Sequence, residues 1–350
     1  MNKKLLILLV PTLLTSISCA NNSKTKEKNY FTLWNDCESI RLLKEYVEDV
    51  TNKKSPNYIK VEDRIATFDM DGTFIGELYP TYFEYNLLEY RGLDDPTYTE
   101  KDASVVEAAT DIRDFVRYGK ELPAHFDMKH ARAAAKAYEG MSIAEFDRYV
   151  KEYAKTQANG FSGMTYAESF YKPMLEIFDY LKAYDFTYYV VSGSDRFICR
   201  SLVESLGIEP NRVIGMDVEL KAINQGDTDA VEYTMASDEY LIRTDNLLIK
   251  NLQTNKVKQI SQEIGKIPVL SFGNSSGDCA MHNYCKSNPL KSEVFMVLAD
   301  DYDDDHADPV ETEKRRAKWI DANYNIISMH DDFKTIYGYN VTKTDFHWDD

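Results

Sequence analysis

The spacing of apolar residues divides the chain into a helical part and an alternating part. Trp34 to Val50 carries Leu42, Leu43 and Val47 on one face and predicts a first helix. Arg64 to Phe68 is a short apolar run, predicting a strand that ends in Asp69 and Asp71. From Gly76 to about Ser162 the period is helical, with Val105, Val106, Ala109, Ile112 and Phe115 recurring at steps of a helical face. Ser142-Ile143-Ala144-Glu145 is a capping box opening a helix that carries Phe146, Val150 and Tyr153. Beyond Ser162 the pattern alternates. Pro173 opens a helix with Met174, Ile177, Phe178 and Leu181 on one face. Phe186 to Val191 is a continuous β-prone run, as expected of a buried parallel strand. A helix with Leu202, Val203 and Leu206 stops at Gly207, and Val213-Ile214 predicts a short strand. Lys256 to Ile264 reads as a helix, and Ile267 to Phe272, Val294 to Leu298 and Asn325 to Ser328 as strands.

Strands alternating with helices predict an α/β fold, a doubly wound parallel sheet. About 120 residues separate the aspartates of the first strand from Ser192 at the end of the second, too many for a loop without structure of its own. Residues 76–162 are therefore expected to form an inserted helical cap, leaving 30–75 and 163–345 as the core. A more polar stretch, 217–251, has Val, Tyr and Leu content that suggests a small β flap. There is no internal repeat and no long low-complexity segment.

The chain has 350 residues, enough for a large core, and a formal charge of −17. With a pI near 4.9 it is not a general nucleic-acid binder, and any phosphate site must be made locally positive by a metal, a lysine or backbone N–H groups. Hydrophobic content of 43% and a mean hydropathy of −0.47 are those of an ordinary soluble protein. Residues 1–18 resemble a secretory signal: Lys3 and Lys4, an apolar Leu5 to Leu14, then small residues before Cys19. The apolar stretch is too short to span a bilayer. Ser16-Ile17-Ser18-Cys19 resembles a lipoprotein processing site, with Ser16 where Leu is usual, and simple secretion is the alternative. Lipidation of Cys19, followed by a polar tether over 19–29, would be the only membrane contact. Cys37, Cys199, Cys279 and Cys285 form no disulfide framework, and buried thiols are expected for at least two of them.

Ile65 to Phe74 reads IATFDMDGTF. A strand ending in paired carboxylates supplies a nucleophile, an acid and hard oxygen ligands in one place. Gly72 permits a sharp turn that brings N–H groups, with Thr73, close to an anion. Asp and Gly also make plain surface turns, and a calcium loop fails because its twelfth position would be Pro80. Val190-Val191-Ser192-Gly193 places a hydroxyl at a strand end, where Ser192 and nearby N–H groups suit a phosphoryl oxygen, or where a serine simply caps a helix. Lys256 precedes the next strand, with Lys258 as its competitor. Ser271 to Asp278 reads SFGNSSGD, offering Asn274 and Asp278 to a cation.

In this order, the four segments resemble the motifs of the haloacid dehalogenase superfamily, mostly phosphatases, in its phosphoserine phosphatase-like branch. The resemblance spans residues 65–278 and departs from the pattern at Asn274, where an aspartate is usual. It implies that Asp69 attacks phosphorus and forms an aspartyl-phosphate, and that Asp71 protonates the leaving oxygen and then deprotonates water. It implies that Lys256 neutralises the nucleophile and the phosphate, with Ser192, Gly72, Thr73 and Gly193 around the phosphoryl group. It further implies Mg²⁺ held by Asp69, by Asp71 through its backbone carbonyl, and by Asn274 or Asp278.

The expected partner is a small phosphorylated metabolite. Glu77 to Tyr85 combines aromatics with carboxylates, so Glu77 is a candidate substrate contact and the aromatics suit a cationic head group, although they would equally pack the cap. Trp34-Asn35-Asp36 with the later motifs is loosely similar to exported phosphorylcholine phosphatase-type enzymes. Asp195 and Arg196 are further substrate candidates, or a helix start. The run Asp300 to Asp305 reads as a solvated acidic turn. Two functions result: an exported Mg²⁺-dependent phosphomonoesterase, or a binding lipoprotein that keeps the fold without turnover, as Asn274 would suggest.

Overall fold

The computed structural model describes residues 30–348. The signal reading of 1–18, Cys19 and the 19–29 tether lie outside the described residues. Among those described, no helix is long and apolar enough to cross a membrane.

Helix α1 spans Glu38–Thr51 rather than starting at Trp34. Trp34 and Asn35 are held elsewhere: the indole N–H donates to Pro173 O at 2.9 Å, and Asn35 Nδ2 donates to the carbonyl of Asp331 at 2.8 Å. Trp34-Asn35 thus ties the start of the described chain to its end and takes no part in the site. Strand β1 (Ile65–Phe68) is buried at every position, as its unbroken apolar run requires. Four helices follow, α2 (Phe83–Glu89), α3 (Ala103–Tyr118), α4 (Phe126–Ala137) and α5 (Ile143–Ala154). The buried stripe of α3 is Val105, Ala108, Ala109 and Ile112, while Phe115 is 39% exposed. Ser142 and Glu145 close the capping box of α5 reciprocally. Short β2 (Phe161–Ser162) and α6 (Lys172–Ala183) lead to β3 (Thr187–Asp195) and α7 (Arg196–Val203). After these come β4 (Val213–Ala222), β5 (Leu241–Ile249), α8 (Thr254–Glu263), β6 (Leu270–Gly273) and α9 (Cys279–Lys286). The chain closes with β7 (Glu293–Leu298), α10 (Pro309–Asp321), β8 (Asn325–Ser328), the single turn α11 (Met329–Asp332) and β9 (Thr342–Lys343), which pairs with β2.

The main sheet has the order β5-β4-β3-β1-β6-β7-β8, parallel throughout except between β4 and β5. This is the doubly wound α/β core expected. Phe68 stacks on Phe272 with centroids 4.3 Å apart, and Phe272 on Phe295 at 5.1 Å, one ladder across three neighbouring strands. From β1 the chain moves to β3 on one side and later returns to β6 on the other. The C-terminal ends of these three strands therefore surround a topological switch point, where open α/β sheets bind ligands.

The stretch 217–251 holds an antiparallel β hairpin, in keeping with the β flap expected, but its first arm continues a core strand. Asp217 lies in mid-strand of β4, which runs on to Ala222, and β5 is its antiparallel return arm. The hairpin is stitched to the inserted helices: Gly140 N–H donates to Arg243 O and Arg243 N–H to Met141 O, both at 2.9 Å. Cys37, Cys199, Cys279 and Cys285 are free thiols, and Cys199 and Cys285 are buried.

The acidic run is only partly solvated, because both of its ends turn inward. Asp300 accepts from Ser328 Oγ at 2.7 Å and from Arg316 Nη2 at 2.5 Å. Asp305 is fully buried, accepting from His306 N–H at 2.8 Å and from the Tyr337 hydroxyl at 3.3 Å. Burial pushes the Asp305 carboxyl up to about 7. The folded state thus holds a proton that the unfolded state has released, and stability falls as pH rises toward and through 7. Asp305→Asn is expected to raise the unfolding midpoint by several degrees at pH 8, by about half as much at pH 5.5 and little below pH 4, as scanning calorimetry in EDTA would show.

Candidate active site

The two aspartates of β1 point into a cluster assembled from four elements. Asp69 and Asp71 are each 6% exposed. The chain turns at Gly72, whose φ of +75° favours glycine, and the Gly72 N–H donates back to Ile75 O at 2.6 Å. Lys256, in the first turn of α8, reaches between two carboxylates: Nζ donates to Asp69 Oδ1 at 2.5 Å and to Asp278 Oδ1 at 2.7 Å. Lys258 is turned outward, donating to Asn255 Oδ1 at 3.3 Å. The two lysines differ because α8 buries the side of Lys256 and exposes that of Lys258.

Asp278 closes the turn after β6. Its Oδ2 accepts the N–H groups of Asn274 at 3.1 Å and Ser275 at 3.0 Å, and the Ser275 hydroxyl at 3.2 Å. With Lys256 on the other oxygen, this carboxylate is fully engaged. One ammonium thus serves two anions on unequal terms. Among the described residues Asp69 has only the Thr73 hydroxyl at 3.4 Å besides Lys256, and burial with the neighbouring Asp278 charge pushes its carboxyl up. Burial opposes the charge on Lys256, but the two carboxylates outweigh it and hold the ammonium above its usual range.

Asp71 is held from β3. Ser194 Oγ donates to Asp71 Oδ2 at 2.8 Å, while Ser192 Oγ is at 3.4 Å and accepts the Ser194 N–H at 3.0 Å. Ser192 is thus the support of Ser194 rather than the nearest donor. Ser194 escaped the sequence reading, although it follows Ser192 by the two-residue step that keeps side chains on one face of a strand. Burial pushes Asp71 up to about 7, against the hydrogen bond from Ser194. Its Oδ1 is buried with no hydrogen-bond partner among the described residues.

A cavity of about 80 Å³ opens on these groups, lined by Asp69, Asp71, Gly193, Lys256, Asn274 and Asp278 on the core side. Its other wall comes from the inserted helices and the hairpin: Tyr82, Glu84, Tyr85, Asp127 and Lys250. The rings of Tyr82 and Tyr85 meet edge-on at 5.4 Å, and the Tyr85 hydroxyl donates to Asp127 Oδ1 at 3.1 Å. Glu84 accepts from Lys250 Nζ at 3.3 Å and from Asp195 N–H at 3.0 Å. Lys250 and Asp127 had no sequence signal; each is a single charge with apolar residues beside it, and only folding of the hairpin and α4 brings them here. Tyr79 and Phe83, from the same aromatic segment, pack instead against Tyr166.

Several expected contacts fall elsewhere. Glu77 does not line the cavity; it is buried beneath it, accepting from Asn274 Nδ2 at 3.1 Å. Neither Thr73 nor Gly72 lines the cavity. Asp195 caps α7, accepting from Phe197 N–H at 2.8 Å, and pairs with buried Arg243 at 2.7 Å. Arg196 is turned away to Asp217 and Glu263. A larger cleft of about 1150 Å³ between α5 and α7 contains none of the site carboxylates.

Among the described residues no three carboxylate, histidine or cysteine side chains converge as a ready-made metal cluster; the oxygen donors that a divalent cation could use are those lining the cavity, Asp69, Asp71 with its unpartnered buried Oδ1, and Asn274. Asp69, Asp71, Glu77 and Asp278 bring four buried carboxylates against Lys256 and the more distant Arg315, and every donor is oxygen. A buried excess of negative charge on hard oxygens is what Mg²⁺ takes.

No protein-family model and no curated protein matches the chain. Solved structures do. A conserved protein of unknown function from Anaerococcus prevotii is similar with a TM-score of 0.53 and 15% identity, over 86% of this chain and 94% of that one. Cytosolic 5'-nucleotidase IIIB, solved with cytidine, has a TM-score of 0.48 and 13% identity, over 84% of this chain and 85% of its own. A HAD family hydrolase from Salmonella enterica has a TM-score of 0.39 and 16% identity, over 77% and 68%. The first of these shows the fold, and the chemistry rests on this chain's own residues.

Proposed function

We propose that the chain is an exported phosphomonoesterase of the haloacid dehalogenase type, Mg²⁺-dependent and acting through an aspartyl-phosphate. The observation that carries the reading is Lys256, buried between Asp69 and Asp278 and facing the same cavity as Asp71. A lysine buried this way has use where a dianionic group must be accepted beside a carboxylate nucleophile. Asp69 attacks phosphorus while the bond to the leaving oxygen breaks, and Asp71 gives that oxygen its proton. Burial favours the protonated form of Asp71 near neutral pH, as a general acid requires. Asp71 then takes a proton from water, which attacks phosphorus and releases phosphate from Asp69. Asp69, the Asp71 carbonyl and Asn274 would hold the cation, with Asp278 anchoring Lys256 and the turn. Bound there, Mg²⁺ would supply positive charge against the phosphoryl oxygens.

The cavity is small, which suits a small ester. Tyr82, Tyr85 and Asp127 favour a leaving group with a cationic centre such as a quaternary ammonium, because Glu84 is already paired with Lys250 whereas Asp127, among the described residues, accepts only from the Tyr85 hydroxyl. The N-terminal Lys3, Lys4, Leu5 to Leu14 and Cys19 pattern supports export and a lipid anchor. Purified protein should release phosphate from p-nitrophenyl phosphate with Mg²⁺ and stop in EDTA. It should cleave phosphocholine faster than a sugar phosphate of equal charge. Binding of these esters without metal-dependent release would support the binding-protein reading instead, and equal rates on both esters would remove the cationic-group assignment.

A further inference from the structure

Position 274 holds an amide where the motif resemblance leads one to expect a carboxylate, and its neighbour is a carboxylate from a distant part of the chain. Asn274 Nδ2 donates to Glu77 Oε2 at 3.1 Å, across 197 residues of sequence. Both side chains are buried, 4% and 5% exposed. The NH₂ end of Asn274 faces Glu77, and Oδ1 is the end left for another partner. The turn carrying Asp71 closes directly on this pair. A Cβ at Gly72 would lie 1.9 Å from Asn274 Nδ2 and 2.7 Å from Glu77 Oε2. Arg315 Nη1, half-exposed, stands at 3.6 Å on the outer side of Glu77.

We infer that Glu77 is a positioning residue of the cation site, supplying through Asn274 the negative charge that position 274 lacks and fixing the amide with its oxygen free for the ion. The inference rests on the Mg²⁺-dependent reading of the site. An aspartate with a neutral partner and an asparagine with an anionic partner place the same charge within one hydrogen bond of the same point. The pair is therefore a charge swap, and a swap can be reversed.

The test is titration calorimetry of Mg²⁺ into the metal-free full chain, with thermal melts in EDTA beside it. Glu77→Gln keeps an oxygen to accept from Asn274 but removes the charge, and should weaken Mg²⁺ binding by about tenfold or more. Asn274→Asp sets two carboxylates against each other and should lower the metal-free unfolding midpoint. The double variant restores one charge and one hydrogen bond, now donated by the new amide at 77. It should return the Mg²⁺ affinity to within about threefold of the parent and recover the midpoint. A merely structural Glu77 would not be rescued by a second change at 274. Glu77→Gln binding Mg²⁺ as tightly as the parent, or a double variant as weak as Glu77→Gln alone, would overturn the inference. Either result in a parent protein that binds Mg²⁺ and releases phosphate leaves the functional reading standing. A parent that binds no divalent cation overturns both.

Discussion

Asp69→Asn is expected to reduce phosphate release by on the order of 10⁴-fold or more, because the amide has no carboxylate oxygen with which to form the bond to phosphorus. The fold should survive. Asparagine has nearly the shape of aspartate, Lys256 keeps Asp278 at 2.7 Å, and a carboxyl already pushed up by burial is replaced by a neutral group. The unfolding midpoint in EDTA should be equal to that of the parent or higher, so loss of turnover cannot be traced to unfolding. A phosphate-release assay beside a thermal melt checks both halves. Turnover retained in a folded Asp69→Asn protein would remove Asp69 from the nucleophile's role.

Lys256→Met should be the most destabilising single change in the site. It leaves Asp69 and Asp278 buried together without the ammonium between them, and removing one partner of a buried ion pair costs about 3–5 kcal/mol. A fall of roughly 5–10 °C in the unfolding midpoint follows. The sign of the pH dependence separates this from simple loss of packing. Without Lys256 the carboxyls of the folded state bind protons more tightly still, so stability is kept at low pH and lost as pH rises. The gap between variant and parent should therefore widen from pH 5.5 to pH 8 in EDTA. Lys256→Arg should not restore the parent, because the larger planar guanidinium does not fit the fully buried space that the ammonium fills between Asp69 and Asp278.

The elements that could be read from the sequence were those whose signal is local. An apolar run next to Asp69, a capping box at Ser142 and a glycine after Leu206 each act within one turn, and each lies where the pattern placed it. Errors arose where a distant partner overrides the local signal. Trp34 has a helical neighbourhood but is drawn to Pro173, Asp305 belongs to a charged run but is buried against Tyr337, and Asp217 continues a core strand because β5 returns beside it. The same division holds in the site. Asp69, Asp71 and Lys256 stand in recognisable segments, whereas Ser194, Glu84, Asp127 and Lys250 acquire meaning only from the wall they form together.

By itself the sequence determined the α/β alternation, the paired carboxylates at a strand end, the lysine before the last motif and the odd asparagine at 274. These are properties of residue type and spacing, and helix and strand periods write them into the chain. The tertiary structure decided which lysine lies between the aspartates, which serine holds Asp71, and that Glu77 belongs to Asn274 rather than to the cavity. Those choices depend on burial and on contacts between residues up to 197 positions apart, where a hydrogen bond's strength is set by the dry surroundings that only the folded chain creates.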